Sequence, residues 1–179
     1  MFEKFAKFPP NAKVVFKGQR WKVWQWEQTR YDGSVAIYEA VSRLDTVKII
    51  AEIDGKFAYS RQSQPHIPEP FWDVFGGVVE EGEEPLAAAK RELLEEGGLE
   101  SDDLELVLAY PAHSSGQIHW DVYIYFARNC RRVGEPKPDE GEKVELLFAG
   151  PAEFVKLLPL LIYNADAREK LITKIEGKK

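Results

Sequence analysis

Between Gly77 and Leu99 the chain reads GVVEEGEEPLAAAKRELLEEGGL, and both ends of one helix are written into it. Pro85 suits a first helical position, where a missing N–H costs nothing, and LAAAKRELLEE consists of strong helix formers. Gly97 and Gly98 then supply the unencumbered, left-handed backbone on which helices stop. The spacing predicts a helix of about three turns, entered from a strand and a glycine turn. At roughly 100° per residue, Leu86, Ala89, Leu93 and, at the edge, Leu94 share one side, whereas Glu92, Glu95 and Glu96 cluster on the other. The first side is expected to pack and the second to bind.

Carboxylates at i, i+3 and i+4 repel one another by a few tenths of a kcal/mol per pair unless a cation sits among them. All-oxygen donors suit a hard ion, so Mg²⁺ or Mn²⁺ is the expected cofactor. Most glutamate clusters on helices are merely solvated faces. The glycine turn, the placed Arg91 and the preceding strand set this one apart.

A chain of 179 residues accommodates one domain with a substantial core. Its net charge of −6 and pI near 5.2 argue against a broad nucleic-acid surface, which needs clustered Lys and Arg. The single cysteine, Cys130, excludes an internal disulfide, and no Cys-His signature accompanies it, so a structural thiol is expected. MFEKFAKFPPNAK lacks a long apolar core and nowhere do 18 apolar residues run together, so a soluble, cytoplasmic protein without membrane contact is expected.

Lys13 to Phe16 reads as a short strand, and WKVWQWEQTRYDGSVAIYEAV as a hairpin across Tyr31-Asp32-Gly33-Ser34. Thr46 to Ile53 and Lys56 to Ser60 repeat the device around Asp54-Gly55. WDVFGGVV reads as a strand entering the acidic helix; Leu104 to Tyr110, Ile118 to Ala127 and Lys143 to Phe148 follow as strands. PAEFVKLLPLL and NADAREKLITKIEG read as two C-terminal helices, with Pro159 opposing their fusion. The result is an α+β chain with helices on the faces of a mixed sheet.

Gly77, Glu83, Arg91, Glu92, Leu93, Glu95, Glu96, Gly98 and Leu99 match every position of the Nudix box, and the chain resembles the Nudix hydrolase superfamily over most of its length. The resemblance implies a Nudix-type α/β/α sandwich at 46–179, with the box at 77–99, preceded by an antiparallel β extension at 1–45. It implies metal-assisted hydrolysis of a diphosphate, with Glu92, Glu95 and Glu96 as side-chain ligands and the Gly76 carbonyl as a further one. Gly76 and Gly77 leave room for close approach of metal and phosphate to the backbone. Glu83 and Arg91 are support, since a guanidinium can bridge two carboxylates and fix the loop on the helix.

In the family a glutamate outside the box often acts as base or extra ligand. The candidates are Glu142, placed first, and Glu140; an exposed acidic turn is an equal alternative for both. Among the histidines, His113 in a Ser/Gly loop is a better candidate for substrate contact than His66 or His119.

The N-terminal stretch looks like the extension of the ADP-ribose pyrophosphatase branch, which often exchanges across a dimer. Trp21, Trp24 and Trp26 carry more apolar area than an exposed hairpin should show, so a homodimer seam or the core is expected to cover them. Where that branch usually carries Gln-Tyr-Arg, this chain has Gln62-Ser63-Gln64; Gln62 and Arg61 are the candidates for substrate contact there, Arg61 only if its side chain reaches the same side. ADP-ribose, cleaved to AMP and ribose 5-phosphate, is the leading substrate. A (d)NTP pyrophosphohydrolase releasing diphosphate is the alternative, and a non-catalytic ligand-sensing module a third reading. The isomerase relatives need a cysteine before the box, and there is none.

Overall fold

The computed structural model describes residues 8–112, 117–137 and 143–177. Strands β1 (Lys13–Lys17), β2 (Lys22–Thr29) and β3 (Val35–Ser42) form an antiparallel N-terminal sheet. Its hairpin turns where expected: Gly33 takes φ +83°, and Asp32 Oδ1 accepts from the Ser34 amide. Strands β4 (Thr46–Ile53) and β5 (Lys56–Ser63) follow, then β6 (Phe71–Asp73), β7 (Phe75–Val78) and helix α1 (Pro85–Gly97). The remaining elements are β8 (Leu99–Glu100), β9 (Asp103–Pro111), β10 (Ile118–His119), β11 (Asp121–Arg128), β12 (Arg131–Arg132), β13 (Lys143–Ala149), α2 (Pro151–Leu161) and α3 (Ala165–Ile175).

The central sheet runs β13-β5-β4-β11-β9, with β6 paired to β5 and β7 to β4. Among the described residues only β4 and β11 pair in parallel in it, so the sheet is mixed. Every residue from Asp121 to Ala127 is buried, the pattern of a central strand covered on both faces. Helix α1 covers one face over Val47, Ile49, Phe75 and Tyr125, and α2 and α3 cover the other over Ile50, Phe57, Ile124 and Phe126. This is the expected α/β/α sandwich. The short β10 joins the N-terminal sheet in parallel to β3.

Three local expectations change. WDVFGGVV is two strands rather than one, because Phe71–Asp73 pairs with β5 while Phe75–Val78 pairs with β4, and Val74 lies at the exchange. Ile118 to Ala127 likewise divides at Trp120 between the two sheets. Leu86 and Leu94 are 42% and 43% exposed, while Ala88, Ala89 and Leu93 make the packed face of α1. Those small residues let the helix approach closely: a Cβ on Gly97 would press on the Phe75 ring. The two C-terminal helices stand apart as expected: α2 has the predicted bounds with Pro159 inside it, and Asn164 caps α3 by accepting from the Ala167 amide.

Candidate active site

Strand β7 delivers Gly76 and Gly77 to the start of β4, opposite Lys48 and Val47, and α1 crosses the same face. A Cβ built on Gly77 would fall on the Glu92 carboxylate, and one on Gly76 on the Val47 carbonyl. Both positions therefore require glycine for close approach. Glu92 is only 9% exposed, and Glu96 Oε2 accepts from the Gly76 amide at 2.8 Å, tying helix to strand.

Arg91 organises the rest. Its Nη1 donates to Glu92 Oε1 at 2.7 Å and to Glu95 Oε2 at 3.1 Å, and its Nη2 to the Val78 carbonyl at 2.9 Å. Nε and Nη2 fork onto the two oxygens of Glu83, each at 3.1 Å, and Glu83 Oε2 also accepts from the Glu80 amide. The Glu83 fork leads in holding the guanidinium above its ordinary value, and in return the Arg91 hydrogen bonds pull the Glu83 carboxyl below its own. Gly76, Gly77, Glu83, Arg91, Glu92, Glu95 and Glu96 thus lie in one lattice.

With Glu92 and Glu95 drawn to Arg91, no three Asp, Glu, His or Cys side chains among the described residues converge into a ready-made metal cage. The donor set still fits a hard divalent ion: three carboxylates within two helical turns beside the side-chain-free Gly76–Gly77 stretch of β7.

Arg61 is not part of this lattice. It stacks over Trp72, which also meets Tyr59, and Tyr59 touches Phe154 of α2, so strand alternation puts Arg61 on the face away from α1. Its nearest carboxylate is Glu145 at 3.9 Å. Gln62, on the α1 face, is buried and donates to Ser60 Oγ at 3.0 Å. His66 is exposed in a turn, and the His119 ring lies 4.6 Å from Phe8. His113, Glu140 and Glu142 lie outside the described residues. Burial pushes the Cys130 thiol up to about 11, as a structural cysteine requires.

A second cluster was not singled out by the sequence. Arg43, at the junction of β3 and β4, lies over Trp120 at 5.3 Å and Trp21 at 5.9 Å, and the two indoles meet edge to face at 5.5 Å. Burial and the nearby Arg20 lower its pKa, and it forms no ion pair among the described residues. Positions 21, 43 and 120 share no local pattern, and of the three the sequence marks only Trp21, as one of the hairpin tryptophans.

Fold and lattice define the class: a hydrolase built around a Nudix box. The chain belongs to the NUDIX domain family, whose pattern matches residues 43–172. It is 26% identical over 149 residues to the methanol dehydrogenase activator of Bacillus methanolicus, covering 82% of this chain and 80% of that protein. It is also 36% identical over 90 residues to the oxidized purine nucleoside triphosphate hydrolase of Mus musculus, covering 49% of this chain and 56% of that one. A solved structure of an ADP compounds hydrolase superposes with a TM-score of 0.74 over 99% of this chain and 98% of its own, at 19% identity, a likeness of fold. Nudix hydrolases generally use divalent metals, and no helix among the described residues is long and apolar enough to cross a membrane.

Proposed function

We propose that this chain hydrolyses the diphosphate bond of a nucleoside diphosphate linked to another moiety, using Mg²⁺ or Mn²⁺, with ADP-ribose cleaved to AMP and ribose 5-phosphate as the leading case. The observation that carries the reading is the fit of Gly77 against Glu92: a strand with no room for a side chain faces the carboxylate helix. In this reading Glu92, Glu95, Glu96 and the Gly76 carbonyl hold the ion. When bound, it neutralises diphosphate charge and orients the attacking water. Arg91 and Glu83 keep the carboxylates in register, and Glu142 is the candidate base outside the box.

For the nucleoside end, Arg43 with Trp21 and Trp120 offers a cation with no carboxylate partner among the described residues beside two aromatic faces, chemistry suited to a phosphate and a base. This reading favours Arg43 over Arg61 for substrate contact. Residues 1–45 act as an extension to the hydrolase domain at 46–179, and a second copy covers the exposed sheet they contribute.

The 36% identity to an oxidized purine nucleoside triphosphate hydrolase supports the alternative, a (d)NTP pyrophosphohydrolase. Incubation with Mg²⁺ and either ADP-ribose or (d)NTPs, with product identification, separates the two. AMP and ribose 5-phosphate are expected; absence of ADP-ribose turnover overturns the branch assignment, and diphosphate release from (d)NTPs installs the alternative.

A further inference from the structure

Gly76 and Gly77 have no side chains with which to hold their own backbone, and glycine is the residue least able to fix a peptide plane by itself. They also follow directly on the point where the chain exchanges partners, leaving β5 after Asp73 and joining β4 at Phe75. What secures that exchange lies on Asp73. Its Oδ1 accepts from Lys48 Nζ at 2.5 Å and from the Val74 amide at 2.8 Å, and its carbonyl accepts from Ser60 Oγ at 3.2 Å. Asp73 is thereby bound to β4 through its side chain and to β5 through its backbone. Lys48 is itself the strand partner of Gly76. The same lysine thus meets the exchange twice, by its main chain at Gly76 and by its ammonium three residues earlier.

The pair lines a cleft of about 270 Å³ with Phe71, Trp72, Leu160 and Tyr163. Its side chains are 25% and 28% exposed, so the pair is partly shielded from solvent.

We propose that Lys48 and Asp73 are positioning residues for the active site, their ion pair fixing the Gly76–Gly77 backbone from the far side of the sheet so that the Gly76 carbonyl is presented to the divalent ion. This rests on the reading of Gly76, Glu92, Glu95 and Glu96 as the ligand set.

The test is an Mn²⁺ titration of the metal-free full chain, following the paramagnetic resonance of the free ion, beside a thermal melt. Lys48→Met, which keeps the aliphatic stem, and Asp73→Asn are expected to remain folded and to weaken Mn²⁺ about tenfold, as loss of support behind a ligand does. Lys48→Arg is expected to recover most of that affinity. Folded variants that bind Mn²⁺ within twofold of the parent overturn the proposal. So does unfolding of both variants, which would make the pair a prop of the fold. Glu96→Gln separates the two levels: parental affinity in that variant removes the ligand reading itself, whereas a loss there with none in the pair variants removes only the positioning role.

Discussion

Arg91 divides one guanidinium among Glu83, Glu92, Glu95 and the Val78 carbonyl, so its single charge offsets only part of the carboxylate charge and leaves a net negative site. The Glu83 arm of that lattice has a pH signature. Glu83 titrates below its ordinary value of 4.5 in the folded chain because Arg91 holds it charged. A depressed carboxyl contributes stability that is present above the unfolded value and lost as pH falls through the folded one. Glu83→Gln is therefore expected to narrow its stability deficit against the parent as pH falls below about 4.5, in melts compared at neutral and acid pH; a deficit independent of pH would show that the fork carries no charge-linked stability. Gly77→Ala tests the other contact. An added Cβ lands on the Glu92 carboxylate, so kcat is expected to fall by about a hundredfold or more, the scale of a misplaced site, while the chain still folds. Steady-state turnover beside a thermal melt reads both, and near-parental turnover would remove Glu92 from the site.

At the scale of elements, α1 was legible because its signals are local. Pro85 opens it and Gly98 closes it in the left-handed region at φ +61°, donating to the Leu94 carbonyl, with Gly134 lying so close that no Cβ fits. Gly98→Ala is expected to destabilise the fold by about 1–3 kcal/mol from backbone strain and that clash, measured by denaturant unfolding; an unchanged midpoint would show that the β12–β8 side yields freely. What the sequence did not disclose was decided by partners distant in the chain. Nothing in WDVFGGVV announces that its halves pair with different strands, and nothing in an amphipathic wheel shows that Ala88 and Ala89 will outcompete Leu86 for the sheet. The lattice of Glu83, Arg91, Glu92, Glu95 and Glu96 lies within fourteen residues and could be read directly. Arg43 meets Trp120 across the whole central sheet sequence and could not.

For the whole molecule the open quantity is what covers the N-terminal sheet. Phe8 stacks on Trp24 at 4.3 Å and Trp120 meets Trp21, so the chain partly shields its own indoles. Phe16, Val35 and Ile37 nevertheless stay 58%, 62% and 59% exposed on one face of the sheet, and Val14 and Tyr38 are exposed on the face that carries Trp24 and Trp26. A sheet that leaves apolar side chains exposed on both faces marks an interaction surface, and closed twofold pairing is the commonest way a soluble chain covers one. Sedimentation equilibrium is expected to return a dimer of the 20.5 kDa chain at micromolar concentration. Ile37→Glu places a charge on the face shared with Val35 and Phe16 and is expected to shift the species to monomer through the cost of desolvating that charge in a seam, without lowering the melting temperature of the central sheet. Because the carboxylate lattice on α1 lies on the central sheet, the monomeric variant is also expected to bind Mn²⁺ as the parent does. A parent chain that sediments as a monomer at these concentrations would remove the second copy as the cover of this sheet.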